Sequence, residues 1–309
     1  MTNLSLDFRN SISEYFSFSP LELVKVQDSA DGETKKFLWR LHDSALVESV
    51  LIIAPDRKTV CVSSQVGCPA RCAFCASGKK GLIRNLSWEE IVAQVMLIQS
   101  HIQEQNEMVT NIVYMGMGEP MKNYEEMVKS VRILIDPNFL GFSQRRVTVS
   151  TVGVVEGIRR FAHEGLKVNL VLSLHAPNQV VRQKIIPYAR QYALEDILSA
   201  MDEYFAVTKR DITYEYTLLE GINDEVEHAQ ELVKLLRGKQ CTVNLIPYNP
   251  IPGIRLKRPS AERIEAFREV LNNAYVVNTC RYTKGVDIAA ACGQLALQEG
   301  EPALRVINQ

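Results

Sequence analysis

Lys58-Thr-Val-Cys-Val-Ser63, then Gly67-Cys-Pro-Ala-Arg-Cys-Ala-Phe-Cys75, then Ser87-Trp-Glu-Glu90 is the stretch from which the fold is read. An extended apolar run leads into a tight loop, and a capping-box signature starts a helical apolar period through Gln105. That is one strand–loop–helix unit. Its loop carries Cys68, Cys72 and Cys75 at C-x3-C-x2-C spacing. A structural zinc ion takes four closed ligands. An iron–sulfur cubane takes one thiolate per iron, so three leave one iron open to a small molecule. Cluster binding is the expected use of the three thiols. The plainer alternatives are buried structural cysteines, or a zinc site completed by a distant ligand.

The pattern repeats outward from this unit. Strands are expected at Asn111–Met115, Arg146–Ser150, Val168–Leu174, Ile212–Leu219 and Cys241–Ile246, each followed by a helical segment. A last strand is expected near Tyr275–Arg281. Six such units in series imply an α/β fold with a parallel sheet and right-handed crossovers, a partial (βα)6 barrel. The segments rich in Gly, Pro, Ser, His and Asn all follow strands, where barrels of this kind keep their chemistry. Ahead of the barrel, Phe37–Leu41 and Val47–Ile53 suggest a short antiparallel β extension. The expected organisation is a short N-terminal extension over residues 1–45, the barrel with its adjoining β extension over 46–297, and a C-terminal tail over 298–309.

The chain has 309 residues, 46% of them apolar, which suffices for a large core. Its 35 basic and 36 acidic side chains leave a net charge of −1, so any nucleic-acid surface must be a local patch. Arg145-Arg146, Arg159-Arg160 and the run from Arg255 to Arg258 are candidates, although short basic runs are usually solvated faces. Seven cysteines and no secretory leader suggest a reduced, cytoplasmic protein whose thiols serve metal or redox chemistry. No apolar stretch is long enough for a bilayer, so no membrane partner is expected.

Several further motifs occur together and in order. They are Cys61-Val-Ser-Ser-Gln-Val-Gly-Cys68, Met115-Gly-Met-Gly-Glu-Pro120, Arg145-Arg-Val-Thr-Val-Ser-Thr151, Ser173-Leu-His-Ala-Pro177, Asn244-Leu-Ile-Pro-Tyr-Asn-Pro250 and Ala291-Cys-Gly-Gln-Leu295. With the cysteine loop they resemble the radical S-adenosylmethionine (SAM) superfamily, and within it the RlmN/Cfr family of RNA adenine methyltransferases, over about residues 47–297. The resemblance implies a [4Fe-4S] cluster on Cys68, Cys72 and Cys75, whose open iron chelates SAM. It further implies SAM contacts from Gly118, Glu119, Ser150, Ser173, Leu174, His175 and Asn249. His175 is expected to bind rather than to transfer a proton.

The resemblance also implies the catalytic set Cys292, Cys61 and Glu48. Cys292 would be methylated by one SAM, and a radical from a second SAM would then take hydrogen from that S-methyl group. The resulting carbon would add to C2 of adenine, an electron-poor position that does not attack a sulfonium methyl. Glu48 would take the C2 proton, and Cys61 would release the product by forming a disulfide with Cys292. Read without the family, Cys292 is a small buried hydrophobe and Glu48 sits on an exposed strand face. Cys241 and Cys280 match no motif. The implied partners are RNA, meaning 23S rRNA and also tRNA, and a flavodoxin-type electron donor; a monomer is expected. The family's helical N-terminal domain is expected to be largely missing ahead of Glu48, which bears on the RNA chosen more than on the chemistry.

Three other readings stay open. Methylation at C8 of the same adenine would show as 8-methyladenosine. A radical enzyme with a non-RNA substrate would lack salt-dependent RNA binding. An electron-transfer protein would hold the cluster without cleaving SAM.

Overall fold

The computed structural model describes Ser5 and residues 19–103, 106–280 and 284–295. The tail expected over 298–309, and all of the first eighteen residues except Ser5, lie outside the described residues.

One ten-stranded sheet organises the chain. Strands β1 (Leu21–Asp28), β2 (Thr34–Leu41), β3 (Leu46–Ala54) and β4 (Arg57–Cys61) form an antiparallel meander. From β4 the pairing turns parallel. Strands β7 (Asn111–Tyr114), β8 (Val147–Thr151), β9 (Asn169–Ser173), β10 (Ile212–Leu218), β11 (Cys241–Pro247) and β12 (Asn278–Cys280) follow in sequence order. The intervening strands β5 (Gln65–Gly67) and β6 (Leu82–Asn85) form a separate hairpin that brackets the cysteine loop. The sheet is continuous across residues 45 and 46, since β2 and β3 pair from Thr34 to Leu46.

Helices follow the parallel strands: α1 (Trp88–Gln103), α2 (Tyr124–Ile135), α3 (Val155–Ala162), α4 (Gln179–Ile185), α5 (Leu194–Thr208), α6 (Val226–Leu235) and α7 (Ala261–Asn273). The six expected βα units are present. The capping box is too: the Glu90 N–H donates to Ser87 Oγ (3.3 Å) and the Ser87 N–H donates to Glu90 Oε2 (2.9 Å). The last strand starts later than expected, at Asn278, and pairs with β11 as far as Cys280; Arg281 lies outside the described residues. Hairpin β5–β6 and helix α4 go beyond the sequence expectation. Three or four strand residues and seven helical ones carry too little period to be read. Among the described residues no helix is long and apolar enough to cross a membrane.

The strands alternate, and the alternation tells which face is core. Val147, Val149, Leu170, Leu172, Tyr214, Tyr216, Val243 and Leu245 are buried on one face. Tyr114 shares that side, and its hydroxyl lies 2.7 Å from Ser130 Oγ on α2. The Tyr216 ring packs 5.2 Å from that of Phe267 on α7. Each such side chain contributes roughly 1.5–3 kcal/mol by burial. The other face carries Thr148, Ser150, Asn169, Ser173, Thr213, Glu215, Thr217, Thr242 and Asn244, alternating with the first. A fully packed barrel fills its interior with branched apolar side chains. This interior is polar instead, as suits a ligand-holding cavity.

Candidate active site

The cysteine loop sits at the C-terminal end of β4. Its closure is dictated by main-chain bonds: the Cys68 N–H donates to Gly81 O (3.0 Å) and the Cys75 N–H to Cys72 O (3.1 Å). Cys68 is buried, and Cys72 and Cys75 are partly so. Burial pushes the Cys68 thiol up to about 12, and the neighbouring Cys75 and Glu119 add to the rise. Cys72 is raised by burial and then by Cys75 and Cys68, and Cys75 is raised by burial. The three thiols therefore share one field and resist ionising together until positive charge arrives. Metal atoms supply such charge. Among the described residues no three His, Cys, Asp or Glu side chains converge on a single ion, and a cluster with one thiolate per iron does not require that they do.

The Met115–Pro120 loop follows β7 and lies against the segment after β4. The Gly116 N–H donates to Val62 O (3.0 Å), the Met117 N–H to Ser63 Oγ (2.8 Å) and the Glu119 N–H to Gln65 Oε1 (2.7 Å). Gly118 has φ +111°, and a Cβ there would stand 2.7 Å from both Ser64 Oγ and Gln65 Cβ. Only glycine fits this approach. The Glu119 carboxylate accepts from the Met121 N–H (3.0 Å) and the Val152 N–H (2.7 Å). Burial still raises its pKa to about 7 against those bonds. A carboxylate so placed gains from a cation brought against it, such as an ammonium group.

Ser150, next to last in β8, and Ser173, last in β9, lie on the polar face with their hydroxyls 3.2 Å apart. Beyond them His175 turns the chain at φ +56°. Its Nδ1 accepts from the Thr217 N–H (2.9 Å), and its carbonyl accepts from Asn223 Nδ2 (2.8 Å). Burial, then the nearby Arg182, lower its pKa to about 3, so the ring is neutral and holds its remaining proton on Nε2. Phe74, between two of the site cysteines, meets that ring edge-on at 4.8 Å. Leu174 is fully buried, and its N–H donates to Glu215 O (3.1 Å).

The segment around Cys292 is laced onto the cysteine loop. The Ala76 N–H donates to Gly293 O (2.7 Å) and Ser77 Oγ to Leu295 O (2.6 Å). Asn249, in the loop after β11, donates from Nδ2 to Cys292 O (3.2 Å). Cys292 itself is exposed, unlike the buried hydrophobe that the motif taken alone suggests.

Glu48 is also placed differently from an exposed strand residue. All six residues of Leu46–Leu51 are buried, and Glu48 Oε1 is 3.0 Å from Lys36 Nζ, with both side chains below 5% exposure. Val50 pairs with Cys61 across β3 and β4. Side chains two apart share a face, so Glu48 and Cys61 look toward the same side of the sheet. The opposite side carries Ser49, whose hydroxyl bonds Gln94 of α1 at 2.6 Å. Glu48 and Cys61 thus face the polar interior.

The fit to an anionic metal centre with a zwitterionic ligand is good. Besides the thiols, the Gly118 cradle and the Glu119 carboxylate, Ser64 Oγ beside Gly118 and Arg182 Nη1 are among the buried polar atoms with no hydrogen-bond partner in the described residues. Sequence reasoning missed Arg182. Its signal is a charged residue at core spacing between Val181 and Ile185.

Residues 62–233 match the radical SAM superfamily model. The chain is 64% identical over 301 residues to a probable dual-specificity RNA methyltransferase RlmN 2 of Protochlamydia amoebophila (strain UWE25), with 97% of this chain and 84% of that protein covered. It is 46% identical over 299 residues to a probable dual-specificity RNA methyltransferase RlmN of Thermotoga maritima, covering 96% and 86%. Among solved structures, a radical SAM methyltransferase from Sphaerobacter thermophilus superimposes with a TM-score of 0.92 at 46% identity, covering 95% of this chain and 86% of that one. SuiB of Streptococcus suis, at 13% identity and a TM-score of 0.53, shares the fold.

Proposed function

Because the chain belongs to the radical SAM superfamily, within its RlmN group of RNA methyltransferases, we propose that it methylates C2 of an adenine in RNA, using 23S rRNA and tRNA. The observation that carries this reading is the lacing of the Cys292 segment to the cysteine loop through Ala76, Ser77 and Asn249. Beside a loop whose three thiols leave the fourth iron to SAM, a further thiol is not needed as a ligand. It suits a group that ferries carbon.

In this reading Cys68, Cys72 and Cys75 hold a [4Fe-4S] cluster. Glu119 and the Gly118 backbone receive the SAM ammonium, and Ser150, Ser173, Leu174, His175 and Asn249 complete the cosubstrate pocket. Cluster and cosubstrate together supply one-electron cleavage of the sulfonium and the methyl carbon, with two SAM molecules spent per turnover. His175 takes no proton, being neutral and fixed through Nδ1. Cys292 carries the carbon as a thioether. Glu48 takes the C2 proton, with Lys36 Nζ 3.0 Å from its Oε1. Cys61, as its thiolate, then attacks the Cys292 sulfur, so that an S–S bond forms as the C–S bond breaks and the freed carbon takes the bond's electron pair and a proton from solvent to become the methyl group. Glu48 and Cys61 share the interior face, which supports their acting on one substrate. The electron donor is of flavodoxin type.

The test is Cys292→Ala. We expect iron and sulfide content and reductive SAM cleavage to persist while transfer of methyl to RNA falls below detection. RNA methylation by this variant would reject the mechanism. Mass spectrometry of nucleosides from wild-type reactions is expected to give 2-methyladenosine; 8-methyladenosine as sole product would reject the choice of carbon.

A further inference from the structure

We propose that Arg182 is a positioning residue for the reductive step, its buried guanidinium supplying a fixed positive charge on the helix packed against the cysteine loop that stabilises the metal centre once it has accepted an electron. The proposal rests on the cluster reading given above.

Arg182 is wholly buried, a rare state for an arginine without an ionic partner. Its Nε donates to Leu174 O (3.1 Å), and its Nη2 donates to Val152 O (2.5 Å) and Ser173 O (3.2 Å). These acceptors are neutral carbonyls. They fix the plane of the guanidinium and leave its charge uncompensated. Nη1 has no acceptor among the described residues.

The helix that carries Arg182 abuts the cysteine loop. The N–H of Ala73, the residue after Cys72, donates to Ile185 O (2.8 Å), one helical turn beyond Arg182. Burial lowers the guanidinium's pKa to about 10, and Cys72 and then Glu119 oppose that fall, so both lie within electrostatic reach of it. A fixed cation in such a water-poor place is held for an anionic occupant. Adding an electron makes that occupant more negative, so the cation favours the reduced form and raises the reduction potential. A simple brace for the turn at Leu174 and His175 would use the same three carbonyl bonds. It would not move the potential.

The experiment compares wild type, Arg182→Gln and Arg182→Lys after anaerobic reconstitution. Iron and sulfide are counted first, and the reduced cluster is then followed by EPR during a redox titration. Wild-type protein without iron or sulfide would overturn the cluster reading itself. With the cluster present, R182Q is expected to show a reduced-to-oxidised ratio roughly tenfold lower at the wild-type midpoint, equivalent to about 59 mV for one electron. R182K keeps the charge and is expected within about twofold of wild type. R182Q with a full cluster at the wild-type potential overturns the proposal. Loss of the cluster from folded R182Q also overturns it, since the residue would then serve assembly. Should R182Q not fold, R182K decides: a tenfold displacement in that variant rejects the charge as the cause.

Discussion

At the scale of single residues, the site contains a carboxylate whose charge depends on its ligand. Free Glu119 has its pKa raised to about 7 by burial, above the ordinary 4.5. Below that value it is mostly protonated and offers an ammonium no counter-charge. SAM affinity is therefore expected to rise with pH by up to tenfold per unit until about pH 7, and to decline once the ligand's own amine loses its proton near pH 8. The same raised pKa means that the unliganded fold loses stability as pH climbs from 4.5 to 7, because the unfolded chain sheds that proton first. Glu119→Gln should weaken SAM binding about 10- to 100-fold, the worth of a charge-assisted pair, and remove the acidic limb of the profile. Calorimetric titration of the reconstituted enzyme checks both; an unchanged acidic limb in the variant would place the titrating group elsewhere. Glu119 could be singled out from sequence because Met115–Pro120 is one of the motifs that carry the family resemblance. Arg182 could not, since its importance lies in where three carbonyls from two other loops happen to point. The burial of Glu48 was equally illegible: alternation predicts one wet face, and only the fold shows that the interior covers it.

Elements were read well where they are long and periodic. Helix α2 begins and ends where its apolar period does, at Tyr124 and Ile135, and α1 starts at its capping box. That box lies on the helix that closes the first βα unit, so its contribution can be measured apart from chemistry. Ser87→Ala removes the acceptor for the Glu90 N–H and leaves Glu90 bonded to the Ser87 N–H. The expected cost is about 0.5–1 kcal/mol, a fall in Tm of about 2 °C, with unaltered SAM cleavage. Differential scanning calorimetry would show it, and a loss of activity at equal folding would mean that the cap positions the loop. Short elements escaped. Hairpin β5–β6 is built from three and four residues, and it closes through the Cys68 N–H to Gly81 O bond more than through any pattern of side chains. Its consequence is functional: the cysteine loop hangs from a rigid bracket, so the thiols are pre-placed.

The whole molecule must bind a polyanion while carrying a net charge of −1, and the fold sorts the basic candidates that sequence left equal. Arg145 and Arg146 precede β8 and therefore lie at the end of the sheet away from the site. Arg159 and Arg160, on the outer surface of α3, are paired with Glu203 and Glu125. Arg258 is committed to Tyr248 O and Asn249 Oδ1. What remains at the mouth is Lys79, Lys80, Arg255 and Lys257, exposed on two loops that Lys79 Nζ joins by donating to Pro252 O (2.8 Å). These loops flank the cysteines, so a phosphate backbone lying on them would bring a base over the polar interior. Phosphate contacts release counterions, and for single strands each lost contact reduces the slope of log K against log salt by about 0.7. The double variant R255E/K257E is expected to bind RNA at least tenfold more weakly at low salt, with a slope lower by about 1.4, while SAM cleavage without RNA stays at the wild-type rate. Fluorescence anisotropy across a salt series measures the slope. An unchanged slope would move the RNA path off this rim, and a parallel loss of SAM cleavage would mean that the loop supports the pocket rather than the polyanion.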